Sequence, residues 1–163
     1  MDYLFTPWRY AYITGANNPG DCLFCGLVQP KTDQAKDDEK ALIVHRAKHC
    51  FVMLNAFPYT SGHAMVLPYE HVDELTKLSQ PAVHELMELT QRLEGILREL
   101  YRPDGLNLGM NLGKAAGAGV AGHIHMHILP RWFGDVNFMT SVGETRVLPE
   151  DLPTTYKRIR SKF

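Results

Sequence analysis

Three histidines at alternate positions are the residues of this sequence most suited to chemistry. His123, His125 and His127 fall within five residues and are three of the eight histidines in the chain. Successive side chains of a β-strand point to opposite faces, so this spacing predicts a strand with three imidazoles on one face and apolar side chains on the other. Imidazole acts near neutral pH as a nucleophile, an acid or base, or a metal ligand. We therefore expect a catalytic or a plain metal site here, and an accident of composition is less favoured.

Two cysteines near the start of the chain form a second candidate site. Cys22 and Cys25 are separated by two residues, and Cys50 is the third cysteine. Without an export signal, such a pair indicates a metal site or a redox pair rather than a structural disulfide. A redox pair would have its first cysteine at a helix N-terminus, and Leu-Phe-Cys-Gly-Leu-Val does not suggest one. Cys50 lies in a predicted strand and is interpreted as a small buried hydrophobe.

The overall composition predicts one globular domain over residues 1–163. Hydrophobic residues make up 45% of the chain and charged residues 21%, and the net charge is −1. A near-neutral chain argues against a general nucleic-acid-binding surface, although a local site for a small phosphorylated ligand is compatible with it. No apolar run reaches membrane-spanning length, and the first residues lack the pattern of a signal peptide. We therefore expect a cytoplasmic protein with neither nucleic acid nor membrane as a partner.

The spacing of apolar residues predicts the elements that hold these sites. Besides the histidine strand, strands are expected at 41–45, 49–55, 63–68 and 106–112. One or two helical turns are expected within 72–78, a long amphipathic helix at about 79–101, and a final helix at 152–159. Strands that neighbour each other along the chain, with one dominant helix inserted, favour an α+β domain with an antiparallel sheet.

Three further segments are interpreted from their composition. Residues 1–20 are rich in aromatic side chains and predict an N-terminal arm packed on the domain. The polar run 29–40 predicts a solvated loop. Residues 133–163 form a C-terminal extension, in which short extended pieces are expected before the last helix.

The histidine row resembles the signature of the histidine triad (HIT) family of nucleotide hydrolases and transferases. The matching run is Gly-His-Ile-His-Met-His-Ile-Leu-Pro-Arg-Trp at 122–132. The segment 55–71 is similar to the family's earlier strand-turn-strand, and the flanks 5–9 and 132–138 resemble the branch that contains diadenosine tetraphosphate phosphorylases. The resemblance implies a HIT-like fold and a homodimer that pairs two domains through the long helix and a sheet edge, with a continuous sheet.

The resemblance also assigns roles to the histidines. His125 corresponds to the nucleophile, whose ring nitrogen attacks the α-phosphorus of a nucleotide and forms a nucleotidyl-imidazole intermediate. His127 would contact phosphate oxygens or the leaving group, or be only a structural neighbour. His63 would orient the triad or contact phosphate, although a histidine at a strand start is also commonly just a satisfied polar residue. His123 would belong to both the catalytic row and a metal site.

Candidate nucleotide contacts follow from the same resemblance. Asn111 corresponds to a residue that contacts the phosphates, and Asn55 to one near the ribose, with a turn-forming asparagine as the alternative. Further candidates are Asn107 on the strand face of Asn111, Lys114, Gly117 and Gly119 in the following loop, and Trp132, which could stack on adenine or cap the core. This loop lacks the hydroxyl or amide side chain that many relatives carry. Phosphate contacts there would come from backbone N–H groups or from Lys114.

Zinc-bearing members of the family carry ligands that match Cys22, Cys25, His71 and His123. Four protein ligands close a tetrahedral site and leave no position for water, so zinc would be structural and would anchor the N-terminal arm. The implied activity is cleavage of a phosphoanhydride in an adenine nucleotide, with diadenosine tetraphosphate as the leading substrate and phosphate or water as the acceptor. Two alternatives remain: a nucleoside phosphoramidase of the same family, and a zinc-stabilised nucleotide-binding module with little turnover.

Overall fold

Five antiparallel strands form the centre of the structure, a computed structural model in which residues 22–28 and 33–163 are described. The strands are β1 (Ile43–Arg46), β2 (Cys50–Leu54), β3 (Ala64–Pro68), β4 (Gly105–Met110) and β5 (Met126–Arg131). Their order in the sheet is β1-β2-β3-β5-β4, and every neighbouring pair is antiparallel. The α+β architecture with an antiparallel sheet, expected from the sequence, is confirmed.

Helices surround this sheet. They are α1 (Leu23–Leu27), α2 (Gln34–Ala41), α3 (Gln80–Tyr101), α4 (Phe138–Ser141) and α5 (Leu152–Arg160), with 3-10 turns at Leu75–Lys77 and Lys114–Ala116. The predicted long helix and the predicted final helix are confirmed as α3 and α5. Within 22–28 and 33–163, none of the helices has the length and apolar content needed to cross a lipid bilayer.

The two faces of the sheet pack against different helices, because side chains alternate along each strand. One face packs against α3 and α5 and carries Val52, Val66 and Ile128 into the larger apolar cluster. The opposite face carries Phe51, Met53, Met65 and Leu67, which pack against Phe24 of α1. In the register of β3 with β5, Met65 lies opposite His127. The histidines therefore share the face covered by α1, away from the long helix.

The structure corrects part of the expected loop at 29–40, because α2 begins at Gln34, while residues 29–32 lie outside the described residues. Asp33 caps this helix, its carboxylate accepting from the backbone N–H of Lys36 at 3.3 Å. Asp38 is buried and pairs with Arg46 on β1 at 2.8 Å. One charged residue of this otherwise largely exposed segment, Asp38, thus anchors it to the sheet, which composition alone does not reveal.

Two further expectations are adjusted. The histidine strand begins at Met126, because pairing with β3 ends at Val66, opposite Met126. Residues 123–125 precede the ladder, and the N–H of Ile124 donates to the carbonyl of Val72 at 2.9 Å instead. In the C-terminal extension the short helix α4 replaces the expected extended pieces between 138 and 141. The predicted arm at 1–20 lies outside the described residues.

Candidate active site and metal cluster

Five histidine rings lie in a row across one face of the sheet. His71 and His123 have ring centroids 5.4 Å apart, His125 and His127 4.7 Å, and His127 and His63 5.1 Å. The Phe24 ring fills the break in the row, 5.5 Å from His123 and 5.3 Å from His125. The structure therefore joins the triad to two histidines from distant parts of the sequence.

Backbone carbonyls determine which ring nitrogen His123 and His125 present. A carbonyl oxygen only accepts, so its imidazole partner must be the donor. His123 donates through Nε2 to the carbonyl of Pro68 at 2.9 Å, which leaves its Nδ1 unprotonated. His125 donates through Nδ1 to the carbonyl of His123 at 2.9 Å, which leaves its Nε2 unprotonated. The two residues therefore present opposite nitrogens.

A similar argument fixes the tautomers of His63 and His127. The backbone N–H of Tyr59 donates to Nδ1 of His63 at 3.2 Å. The remaining proton of a neutral His63 is therefore on Nε2, which donates to Nδ1 of His127 at 2.9 Å. Because Nδ1 of His127 accepts, Nε2 of His127 carries a proton. His127 therefore presents a donor, whereas its neighbour His125 presents an unprotonated nitrogen.

Burial favours the neutral form of three of these histidines, His63, His123 and His125. Desolvation lowers the pKa of His123 and of His125, since a buried imidazolium loses its hydration. Burial, together with the nearby His127 and His125, lowers the pKa of His63 to about 3. At neutral pH, His125 therefore retains the lone pair that a nucleophile requires.

The metal-ligand types cluster at the other end of the row. The ligand atoms of Cys22, Cys25, His71 and His123 all lie within 4.8 Å of one another. Nδ1 of His123 is 3.4 Å from Sγ of Cys22 and 3.6 Å from Sγ of Cys25, and Nδ1 of His71 is 3.4 Å from Sγ of Cys25. The four sequence-predicted ligands, separated by up to 101 positions, are brought together.

Cys22 also corrects a premise of the sequence interpretation. It is the N-cap residue of α1, so a helix does follow the first cysteine. Helix N-termini stabilise thiolates. Burial and the neighbouring Cys22 nevertheless raise the pKa of Cys25 to about 11, so this thiol needs a cation in order to ionise readily. Two imidazoles beside the pair favour metal binding over a dithiol redox pair.

A cavity of about 330 Å³ opens at the end of the row that holds His125 and His127. His125 and His127 line it together with four of the predicted nucleotide contacts, namely Asn55, Asn111, Gly117 and Gly119. Its other walls are largely apolar and include Leu23, Phe24 and Leu27 from α1 and Met53 and Met65 from the sheet. An apolar chamber with a few polar groups at one end suits a nucleoside whose phosphate lies at the histidines.

Three predicted nucleotide contacts do not line this cavity. Asn107 lies on the edge strand β4, where its side-chain oxygen accepts from Arg131 at 2.8 Å. Lys114 is exposed in the loop that follows β4. Trp132 lines a separate cavity beyond Tyr59.

Sequence reasoning missed Phe24, Tyr59 and the carbonyl of Pro68. Phe24 is 4% exposed, and its ring contacts the rings of both His123 and His125. Its only signal was an apolar residue inside the Cys22-x-x-Cys25 spacing. Tyr59 acts through its backbone N–H and its ring, which lies 4.8 Å from that of His63. A backbone carbonyl or N–H leaves no mark in a sequence.

Comparison with known proteins agrees with this geometry. The HIT domain model matches residues 36–134. The AP-4-A phosphorylase of Mycobacterium tuberculosis strain H37Rv is 38% identical over all of this chain and 85% of its own length. A Zn-bound histidine triad family protein from Mycobacterium smegmatis superposes with a TM-score of 0.66 at 28% identity, covering 87% of this chain and 92% of the other.

A third match is a hypothetical histidine triad nucleotide-binding protein from Sulfolobus tokodaii. It superposes with a TM-score of 0.61 at 26% identity and covers 74% of this chain and 82% of its own. The family model spans more than half of the chain, and its range includes all three triad histidines. The chain belongs to the HIT domain family, whose fold it shares.

Proposed function

We propose that this protein cleaves dinucleoside polyphosphates, with diadenosine tetraphosphate as the leading substrate, through a nucleotidyl intermediate on His125. The observation that carries the proposal is the tautomer of His125. Its Nδ1–H donates to the carbonyl of His123, so Nε2 offers a lone pair in a residue that lines the cavity. The full-length similarity to a relative named AP-4-A phosphorylase supports the choice of substrate.

The reaction proceeds in two displacements. Nε2 of His125 attacks the α-phosphorus, the N–P bond forms, and the bond from phosphorus to the bridging oxygen breaks. The imidazole then carries a positive charge, which the carbonyl of His123 stabilises through Nδ1–H. An acceptor next attacks the phosphorus and releases the nucleotide together with neutral His125. We propose phosphate as this acceptor, in keeping with the named relative.

His127 assists the departing oxygen in this scheme. Its Nδ1 accepts from Nε2–H of His63, so its own Nε2 carries the proton that would be donated to the developing negative charge. The donor is fixed in advance by Tyr59 and His63 and costs little reorganisation during the reaction. His63 thus acts as a positioning residue for His127.

We further propose that Cys22, Cys25, His71 and His123 hold a structural zinc ion. A tetrahedral site with Zn–S near 2.3 Å and Zn–N near 2.05 Å has S···N edges of about 3.5 Å. The observed separations of 3.4, 3.4 and 3.6 Å match that value before any ion is added. His123 also has the outer-sphere partner that metal-bound histidines need, the carbonyl of Pro68. Zinc would cross-link the start of α1, through Cys22 and Cys25, to His71 and His123.

The chain is also proposed to act as a homodimer. Strand β4 lies at the edge of the sheet. Leu108 on this strand is 47% exposed and Met87 on α3 is 51% exposed, so the sheet edge and the long helix each offer apolar surface. Light scattering at several concentrations measures the mass directly.

Product analysis with diadenosine tetraphosphate tests the activity. We expect ADP and ATP only when millimolar phosphate is present, and no turnover after His125→Asn. AMP and ATP formed regardless of phosphate would make water the acceptor. Full activity of the His125→Asn variant would overturn the assignment of the nucleophile.

A further inference from the structure

A second cavity, of about 520 Å³, lies beyond Tyr59 from the first. Tyr59 lines both cavities, and its ring lies 6.4 Å from the His127 ring at an interplanar angle of 28°. His127 is the residue proposed to meet the leaving group. A phosphate chain that starts at His125 and runs past His127 therefore leads over Tyr59 toward this second cavity.

The second cavity offers aromatic surface at its wall. Trp132 and Phe133 line it, and Phe133 is 94% exposed. An aromatic ring left almost wholly in water beside a cavity has no packing role to explain it. Such rings serve as stacking platforms for nucleobases.

The charges around the cavity also suit a polyphosphate. Two carboxylates line it, but Asp135 is paired with Arg131 and Glu150 with Arg158. Arg146 donates to the carbonyl of Tyr59 at 2.8 Å, at the divide between the two cavities. Among the described residues it has no carboxylate within ion-pair distance, so its guanidinium adds net positive charge there.

We propose that the second cavity binds the distal nucleoside of a dinucleoside polyphosphate, with its base against Phe133 and Trp132. The proposal rests on the function above and deepens it, because it makes the enzyme selective for substrates with a nucleoside at each end. Arg146 then contacts the phosphates that leave, and Tyr59 separates the two nucleoside sites.

The test compares two substrates that differ only in the distal nucleoside, diadenosine tetraphosphate and adenosine tetraphosphate. We expect Phe133→Ala to lower kcat/KM about tenfold for the first and to leave the second unchanged, as loss of one base stack predicts. Phe138→Ala is the matched control, since Phe138 is 73% exposed on the same extension and does not line the cavity. Both rings are exposed, so folding should be unaffected.

Binding provides a readout that does not depend on turnover. In a His125→Asn background, calorimetry should show about tenfold weaker binding of diadenosine tetraphosphate after Phe133→Ala and no change for adenosine tetraphosphate. Equal effects on the two ligands, or equal effects of the two phenylalanine variants, would overturn the subsite. A change of oligomeric state after Phe133→Ala would assign the ring to a subunit contact instead. Absence of turnover in the unmutated protein would refute the proposed function, while the binding comparison would still decide the subsite.

Discussion

His123 and His125 are two residues apart, both are buried, and each donates one N–H to a backbone carbonyl. They nevertheless face different chemistry. His123 uses Nε2 for the carbonyl of Pro68 and turns Nδ1 toward two thiols. His125 uses Nδ1 for the carbonyl of His123 and keeps Nε2 for the cavity.

The difference shows that residue type, burial and spacing along the chain do not assign a role to a histidine in this row. Desolvation lowers the pKa of both residues and so makes either a neutral donor of a lone pair. The direction of that lone pair comes from the hydrogen bond of the other nitrogen. In the proposed function, one carbonyl prepares a metal ligand and the other prepares a nucleophile.

Replacement of His125 by Asn should abolish catalysis and leave metal binding intact. We expect kcat to fall by at least about 10⁴-fold, because the covalent route is lost. Metal content, measured by plasma emission on the purified variant, should stay at the value of the unmutated protein. A fall in metal content would contradict the division of the row into two ends.

Replacement of Cys25 by Ser should abolish metal binding at the four-residue cluster. We expect loss of bound metal and destabilisation by about 3 kcal/mol, or roughly 6–12 °C in Tm, because a ligand that binds only the folded state no longer contributes. Cys50→Ala is the matched control, since Cys50 is buried against α3 and lies outside the cluster. Calorimetry gives the Tm of each variant, and plasma emission that finds equal metal contents in the two would refute the four-ligand site.

The catalytic end should also make stability depend on pH through His63. Its pKa is lowered to about 3 by burial, whereas in the unfolded chain it is about 6.5. Between these values only the unfolded state takes up the proton, so stability is complete above about pH 6.5 and falls as the pH falls.

At pH 5 the loss should reach roughly 2 kcal/mol relative to pH 7. Urea unfolding of the unmutated protein and of His63→Gln at both pH values isolates the effect, since the variant should lack this part of the pH dependence. Equal pH dependence in the two proteins would show that His63 binds a proton as readily when folded.

Phe24 lies between His123 and His125, and its replacement should have the smallest effect of these changes. Phe24→Leu removes the ring contacts with His123 and His125 but keeps an apolar wall, and about a three- to tenfold fall in kcat/KM is expected. Phe51→Leu, in the same apolar cluster but outside the cavity, controls for lost core volume. A similar kinetic loss in both variants would mean that Phe24 acts only through stability.

Local patterns predicted most of the fold. Alternation of histidine with Ile124, Met126 and Ile128 correctly placed the imidazoles opposite the apolar core. The three–four repeat predicted α3 to within one residue at either end. Helix α2 escaped prediction, because its buried Asp38 is stabilised by Arg46, a partner eight positions away on another element. The start of strand β5 was likewise set by a neighbouring strand, because its pairing with β3 ends at Met126.

By itself, the sequence determined which side chains capable of chemistry the protein has and which of them share a strand face, because alternation is a local property. Tertiary structure alone decided that Cys22 and Cys25 meet His71 and His123, that Tyr59 divides two cavities, and that Trp132 lines the second. It also decided the tautomers of His63, His123, His125 and His127. The physical reason is that a lone pair is directed by the carbonyl or N–H it faces, and those groups are identical at nearly every position of a chain.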